Sequence, residues 1–292
     1  MELKQAQRQQ VKLRIGISGP SGYGKSYSAL LLAYGITNDY KTIAVIDTEN
    51  GSASLYSHLG EYKTISLDAP YSPERYIEAI EVCEDARMEV IIVDGISHEW
   101  QGSGGCLQIH EQLGGRFQDW GAVTKRHQAF IDKILQSKCH IITTVRTKVN
   151  YSMERDNNGK TRVLKHGMKE ITRNGFEYEL TVNFELINDN HIVRASKDRT
   201  GLYKNKPEFI INTSSGKKLM IWSKFGGESM ETARKEIKKC TTVEGLRHIY
   251  NKYPNYQNEL LSDMMDRKSI IENANLEVVH KEEIVEQKIE SD

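Results

Sequence analysis

Gly19, Gly24, Lys25 and Ser26 stand at the spacing GxxxxGK[ST] within GPSGYGKS, and these residue types at that spacing suit the binding of a polyphosphate. Glycines let a loop turn its backbone N–H groups inward and let phosphate oxygens come close to the main chain. Lys25 then reaches the terminal phosphates and Ser26 holds Mg2+. The whole turn, Gly19, Pro20, Ser21, Gly22, Tyr23, Gly24, Lys25, Ser26 and Tyr27, is the candidate nucleotide cradle. A second metal-binding group is Asp94, which ends the apolar run EVIIVD and is expected to bind the Mg2+ of a nucleotide, directly or through water. Gly95 follows it, so no second carboxylate is adjacent and the base that activates water has to come from elsewhere. Glu49, at the end of TIAVIDTE, is the candidate for polarising that water. Asp47 is able to share the work through the metal, and Glu49 also reads as a plain carboxylate at the top of a loop.

These groups need elements that bring them to one rim. Lys12 to Gly19 reads as a strand and Tyr27 to Tyr34 as a helix whose N-terminus aims partial positive charge at the phosphates. Thr42 to Glu49, Glu89 to Ile96 and Cys139 to Thr147 are rich in β-branched and apolar residues, with acids at the ends of the first two, as expected of strands buried on both faces of a parallel sheet. In such a sheet, ligands sit beyond the carboxyl ends of the strands, where the phosphate loop, Asp47, Glu49, Asp94 and the polar Thr143, Thr144 and Arg146 all fall. A short strand is expected over Tyr62 to Leu67. Ser72 and Pro73 open a helix running to about Met88.

The balance of charge narrows the partners. Forty basic and forty acidic residues cancel over 292 positions, so any nucleic-acid site depends on local segregation of charge. The N-terminal MELKQAQRQQ lacks the apolar core of a secretion signal, and no apolar run approaches the ~18 residues of a spanning helix. A cytoplasmic location is therefore expected, with no membrane partner. Cys83, Cys106, Cys139 and Cys240 form no CxxC pair and read as reduced packing residues. His98 and His110 lie apart, with no carboxylate or cysteine in recognisable ligand spacing, so a metal centre of that kind is not expected.

Segregated charge does occur after the Cys139 strand. Asn158-Gly159 is a hairpin-turn signal, and Lys148, Arg155, Lys160, Arg162, Lys165 and Lys169 make the surrounding arm basic, with Tyr151 adding an aromatic face. Such a ribbon suits single-stranded nucleic acid. It also reads as a plain exposed hairpin, or as one that packs on a neighbouring subunit. Before it, residues 97 to 121 carry clustered glycines with His98, Trp100, His110, Arg116, Phe117 and Trp120, and read as a mobile segment beside the site. A helix follows to Leu135, with Lys125, Arg126, His127 and Lys133 along a basic side. Tyr178 to Ile187, His191 to Ala195, Glu208 to Ile211 and Lys218 to Trp222 are expected as antiparallel strands, and Thr241 with Glu244 as a capping box. The organisation is a polar lead-in at 1–11, an α/β core at 12–224, helices at 225–272 and an acidic, disordered tail at 273–292.

The order GPSGYGKS, a strand ending DTEN, VIIVDG, CHIITTVRT, a basic arm and SKDRTG resembles the RecA-type recombinase core. Within that class it is most similar to the phage-encoded RecA-core ATPases of single-strand annealing, usually labelled AAA-family ATPases. The resemblance, over about residues 12 to 222, implies a mostly parallel central sheet with antiparallel β additions, Mg2+-dependent ATP hydrolysis and single-stranded DNA as partner. It assigns water activation to Glu49 and metal binding to Asp94, and makes segments 97–120 and 148–172 the DNA-binding loops. Lys197 and Arg199 match basic residues that reach the ATP of a neighbouring subunit, which implies a homo-oligomer, ring or filament, in the cytoplasm of a bacterial host. A single-strand-binding protein is a further candidate partner. The chain departs from RecA at Thr144-Val145-Arg146, where RecA has a nucleotide-sensing glutamine. Two other classes remain open: a P-loop kinase of a small molecule or nucleotide, and an assembly scaffold that uses ATP without binding DNA.

Overall fold

A computed structural model describes residues 11–155, 161–224, 230–253 and 256–289, with side chains described except at 150–155, 161–167, 231 and 275–289. The chain divides into two compact units, one spanning Lys12–Met220 and the other combining Met1–Val11 with Ile221–Asp292.

The larger unit is α/β, built on a mostly parallel central sheet with antiparallel additions. Its strands are β1 (Arg14–Gly19), β2 (Ile43–Asp47), β3 (Lys63–Ser66), β4 (Val90–Asp94), β5 (His140–Arg155), β6 (Thr161–Glu170), β7 (Val182–Leu186), β8 (Ile192–Asp198) and β9 (Phe209–Ile210). They lie in the order β3-β2-β4-β5-β1-β7-β8-β9, with β6 attached to β5. From β3 to β7 every pairing is parallel, whereas β5–β6, β7–β8 and β8–β9 are antiparallel.

Period-two alternation divides the apolar strands between two layers. Ala44, Ile46, Ile91, Val93, Ile141 and Val145 face a cluster completed by Tyr76, Ile80, Phe130 and Ile134 from the paired helices α2 (Pro73–Asp85) and α5 (Trp120–Gln136). The intervening Ile43, Val45, Ile92 and Ile142 are as deeply buried, under α1 (Lys25–Thr37), which contacts β1, β2, β4 and β5. This double burial is why the strands read as unbroken apolar runs. Buried Arg14 joins the turn before β5 to β1: it donates to the carbonyls of Leu13, Leu135, Ser137 and Cys139, and burial lowers its pKa to about 10.

Several expectations change. Residues 97 to 119 form α3 (Ser97–Gln101), α4 (Cys106–Gln112) and a 3-10 turn, Phe117–Asp119, packed through Cys106, Ile109 and Val123. Two residues of the basic side of α5 pair across to α2: Arg126 meets Glu74 at 2.6 Å, and Lys133 meets Glu81 and Glu84. The strand expected from Tyr178 starts at Val182, because Gly175 at φ 97° initiates a helical turn, α6 (Phe176–Glu179).

Lys218 to Trp222 belongs to a helix, α7 (Thr213–Lys224). Asn212 Oδ1 accepts from the Ser214 and Ser215 N–H groups and so caps its start. Further along, α7 crosses α1 backbone to backbone. A Cβ on Gly216 would lie 2.2 Å from the Leu32 carbonyl, and one on Gly35 would lie 2.1 Å from that of Thr213.

In the smaller unit, α8 (Met230–Lys239), α9 (Val243–Lys252) and α10 (Gln257–Ile289) pack around Ala233, Ile237, Leu246, Ile249, Leu260 and Met264. The α9 cap is Thr242, whose side chain accepts from the Gly245 N–H, one residue beyond the expected box. The backbone of α10 is helical to Ile289, through the stretch whose acidity suggested disorder. That stretch is also rich in Glu, a good helix former, holds no Gly or Pro, and sets Glu277 four residues before Lys281. Among the described residues, no helix is long and apolar enough to cross a membrane.

Candidate functional site

The phosphate-loop turn joins β1 to α1 and depends on left-handed backbone at two glycines. Gly22 has φ 83°, and Gly24, the residue before α1, has φ 88°. No acid lies in the first turn of α1, so nothing cancels its N-terminal partial charge. Lys25 is buried and folds its ammonium back onto the Pro20 carbonyl at 2.7 Å. Burial lowers its pKa, against the opposing pull of Glu49 and Asp94. From the turn between β7, the neighbour of β1, and β8, His191 sets Nδ1 2.8 Å from the Tyr23 carbonyl, and a Cβ on Gly24 would come within 2.7 Å of that ring. His191 therefore braces the loop.

Asp47 and Asp94 are direct neighbours in the β2–β4 register, but their carboxylates do different work. Asp47 accepts from the N–H groups of Glu49 and Ala53, one on each oxygen, and so holds the turn that presents Glu49. Asp94 is 1% exposed; its Oδ1 accepts from Thr144 Oγ1 at 2.6 Å, while Oδ2 is buried without a hydrogen-bond partner. Burial raises its pKa, with the hydroxyls of Thr144 and Ser26 acting in the opposite sense. An orphaned carboxylate oxygen beside the Ser26 hydroxyl is the donor set a hard divalent cation takes, so the residues fit Mg2+.

Glu49 Oε1 accepts from Arg146 Nε at 3.0 Å, at the end of the parallel part of β5, and lies 2.9 Å from Nη2 of the same guanidinium. Lys25, Glu49, Asp94 and Arg146 form one electrostatic group. Arg146 is held in turn by Ser97 Oγ, which accepts from its N–H at 2.9 Å. The next residue, His98, sets Nδ1 2.9 Å from Thr48 Oγ1, itself bonded to the Asp94 carbonyl. Helix α3 thus starts against the nucleotide site.

Two residues later the same helix enters a groove of about 710 Å3, lined by Trp100, Leu107, Phe117 and Trp120 and, on the other wall, by Lys148, Lys169 and Arg173. Trp100 stacks on Trp120 with centroids 5.9 Å apart, His110 covers the same indole at 4.0 Å, and Phe117 is 92% exposed. Exposed Lys148 and Lys169 sit directly opposite each other in the β5–β6 register, a like-charge cross-strand pair that is unfavourable without an anion. Of the other arm residues, Lys160 and the Asn158-Gly159 turn lie outside the described residues. For Tyr151, Arg155, Arg162 and Lys165 the described part is the strand backbone, with Tyr151 opposite Lys165.

Lys197 and Arg199, at the end of β8, both donate to the Tyr178 carbonyl, Arg199 through Nη2 at 2.5 Å. They are placed there and not on the Lys25–Asp94 group. Asp198, between them, is engaged by Thr200 and by the N–H groups of Tyr203 and Lys204. Sequence reasoning did not foresee the bracing by His191 or the pairing of Arg146 with Glu49. It also did not foresee that Glu99, Cys106 and His127 meet in the interior, since their ligand-type atoms lie within 4.8 Å of one another.

Over residues 11–214 the chain matches the family described as AAA domain. No curated protein matches it. Among solved structures it is similar to a prototypical ATPase from the type III secretion system of pathogenic bacteria, at 14% identity and a TM-score of 0.39. That alignment covers 65% of this chain and 60% of the other, so the chain spans about 60% of that ATPase's length.

Proposed function

The chain belongs to the AAA domain family of P-loop ATPases, and from that premise we propose that its Mg2+-dependent ATP hydrolysis serves the binding of single-stranded DNA, for annealing or strand exchange in phage recombination. The observation that carries this reading is the groove. It combines stacked indoles and an exposed phenyl ring with facing lysines, the pairing of base-stacking and phosphate-tracking groups that a single strand requires. It is reached from the nucleotide site through α3, whose Ser97 and His98 touch Arg146 and Thr48 while Trp100 lines the groove.

At the nucleotide, the loop N–H groups and Lys25 hold the phosphates, and Ser26 and Asp94 hold the ion. The bound Mg2+ supplies neutralisation of charge on the phosphate oxygens. Glu49 takes the proton of the attacking water once its carboxylate is free to do so. Arg146, paired with that carboxylate, orients it and would place a positive charge near the phosphates held by Lys25. Lys197 and Arg199 are cations directed at one exposed carbonyl, and an anion from a neighbouring subunit is the stronger acceptor for both; the active form is then a homo-oligomer. The Glu49–Arg146 pair also favours a second reading, in which ATP is bound as a conformational clamp and turned over only when Arg146 is drawn away.

Titration of the full chain with an unlabelled oligodeoxythymidine tests the groove, because Trp100 and Trp120 report on it directly. Quenching of their emission is expected. In Lys148→Ala/Lys169→Ala the salt dependence should flatten by about 1.4 in slope, at ~0.7 per lost phosphate contact. Quenching and slope identical to wild type would exclude this groove as the DNA site.

A further inference from the structure

Glu99, Cys106 and His127 come from three separate helices, α3, α4 and α5, and meet where no solvent reaches: they are 0%, 0% and 4% exposed. Glu99 Oε1 lies 3.0 Å from Cys106 Sγ and 3.0 Å from His127 Nδ1, and Oε2 lies 3.1 Å from the same nitrogen. We propose that this cluster is a metal site for a borderline-soft divalent cation, Zn2+ first, tying the three helices together beneath the aromatic groove.

Three arguments support it. The first is the donor set: thiolate, imidazole and carboxylate are the three zinc ligand types, and together they leave one position of a tetrahedron, which a single buried water fills. The second is geometry. Zinc bonds of about 2.0–2.3 Å in a tetrahedron put ligand atoms roughly 3.3–3.6 Å apart. The two edges from Glu99, at 3.0 Å, are a few tenths of an ångström tighter than that and the third lies within 4.8 Å, so small side-chain rotations bring the three to ligand spacing. The third is charge. A thiolate and a carboxylate balance a divalent cation, leaving a neutral group in a dry interior where net charge is costly. On binding, the thiol proton leaves to solvent, and His127 coordinates through Nδ1 as a neutral imidazole with its proton on Nε2. With no cation, burial and the Glu99 carboxylate raise the Cys106 pKa and keep the thiol protonated.

The fold also gives the cross-link something to do. Helices of five and seven residues, α3 and α4, are too short to persist alone, and their apolar cluster is small: Cys106, Ile109 and Val123, with Trp100 and Trp120 at its edge. His127 meets Trp100 edge-on at 5.4 Å, so whatever fixes His127 also fixes the indole platform.

The test uses the full chain, refolded with Zn2+ or Co2+ and stripped of loosely held ions by chelator and gel filtration. About one zinc per chain should remain, and the cobalt form should absorb in the near ultraviolet through thiolate-to-metal charge transfer. Cys106→Ser and His127→Gln should each lose the metal to background, whereas Ser26→Ala, which alters the nucleotide metal site, should keep it. If Cys106→Ser fails to fold, the wild-type cobalt spectrum and His127→Gln decide. Background zinc in the refolded wild type, cobalt retained without a thiolate band, or a band that survives both substitutions would overturn the proposal.

Discussion

Glu49→Gln separates catalysis from structure, and the geometry sets the size of each effect. Glutamine keeps the shape and an Oε1 acceptor but loses the charge that pairs with Arg146 at 2.9 Å. The two side chains are 22% and 33% exposed, and ion pairs that wet contribute about 0–1 kcal/mol. Unfolding stability should therefore fall by less than about 1 kcal/mol. As a general base, Glu49 is responsible for a factor of about 10²–10⁴, roughly 2.7–5.4 kcal/mol of barrier. Lys25, Ser26 and the loop are untouched, so nucleotide affinity should hold. The assay is phosphate release at saturating ATP, beside titration with a fluorescent ATP analogue and a denaturant melt. Turnover near wild type in a variant that binds ATP normally would refute the assignment and move the base to Asp47 or Asp94. Under the clamp reading, wild-type turnover is already slow and the substitution changes little.

Lys25→Ala should abolish turnover with the fold intact, since it removes the cation that neutralises the terminal phosphates; wild-type phosphate release from the folded variant would contradict this. Mixing Arg199→Ala with Lys25→Ala protein should restore activity from two inactive parents, because some interfaces then join an intact loop to an intact Arg199. A mixture that co-assembles yet stays inactive would confine Arg199 to its own chain. Gly216→Val should destabilise the larger unit by about 1–3 kcal/mol in a thermal melt, because its Cβ would meet the Leu32 carbonyl at 2.2 Å; an unchanged melt would contradict the α1–α7 crossing.

What was legible in the sequence is what is local along the chain. The phosphate loop is eight consecutive residues, and β2, β4 and the parallel part of β5 are apolar runs, because both of their faces are covered. Lys218 to Trp222 is too short a run for its period to separate strand from helix; the answer lies in Asn212 upstream and in Gly35, far away on α1. The site's remaining contacts are long-range. Arg146 reaches Glu49 across 97 positions and His191 reaches Tyr23 across 168, and no spacing rule couples residues at such distances. Glu99, Cys106 and His127 escaped for the same reason, since three helix packings bring them together. Both walls of the groove carry residues singled out along the chain, Trp100, Phe117 and Trp120 on one side and Lys148 and Lys169 on the other, but nothing local says that the two segments line one groove.

ATP turnover by the full chain, measured with and without a saturating single-stranded oligonucleotide, tests the account most directly. It predicts Mg2+-dependent hydrolysis that rises when the strand is present, with the rise lost in Lys148→Ala/Lys169→Ala while nucleotide affinity is kept. Hydrolysis that is indifferent to the strand, in protein whose tryptophan emission is equally indifferent to it, would contradict the link between the nucleotide site and the groove.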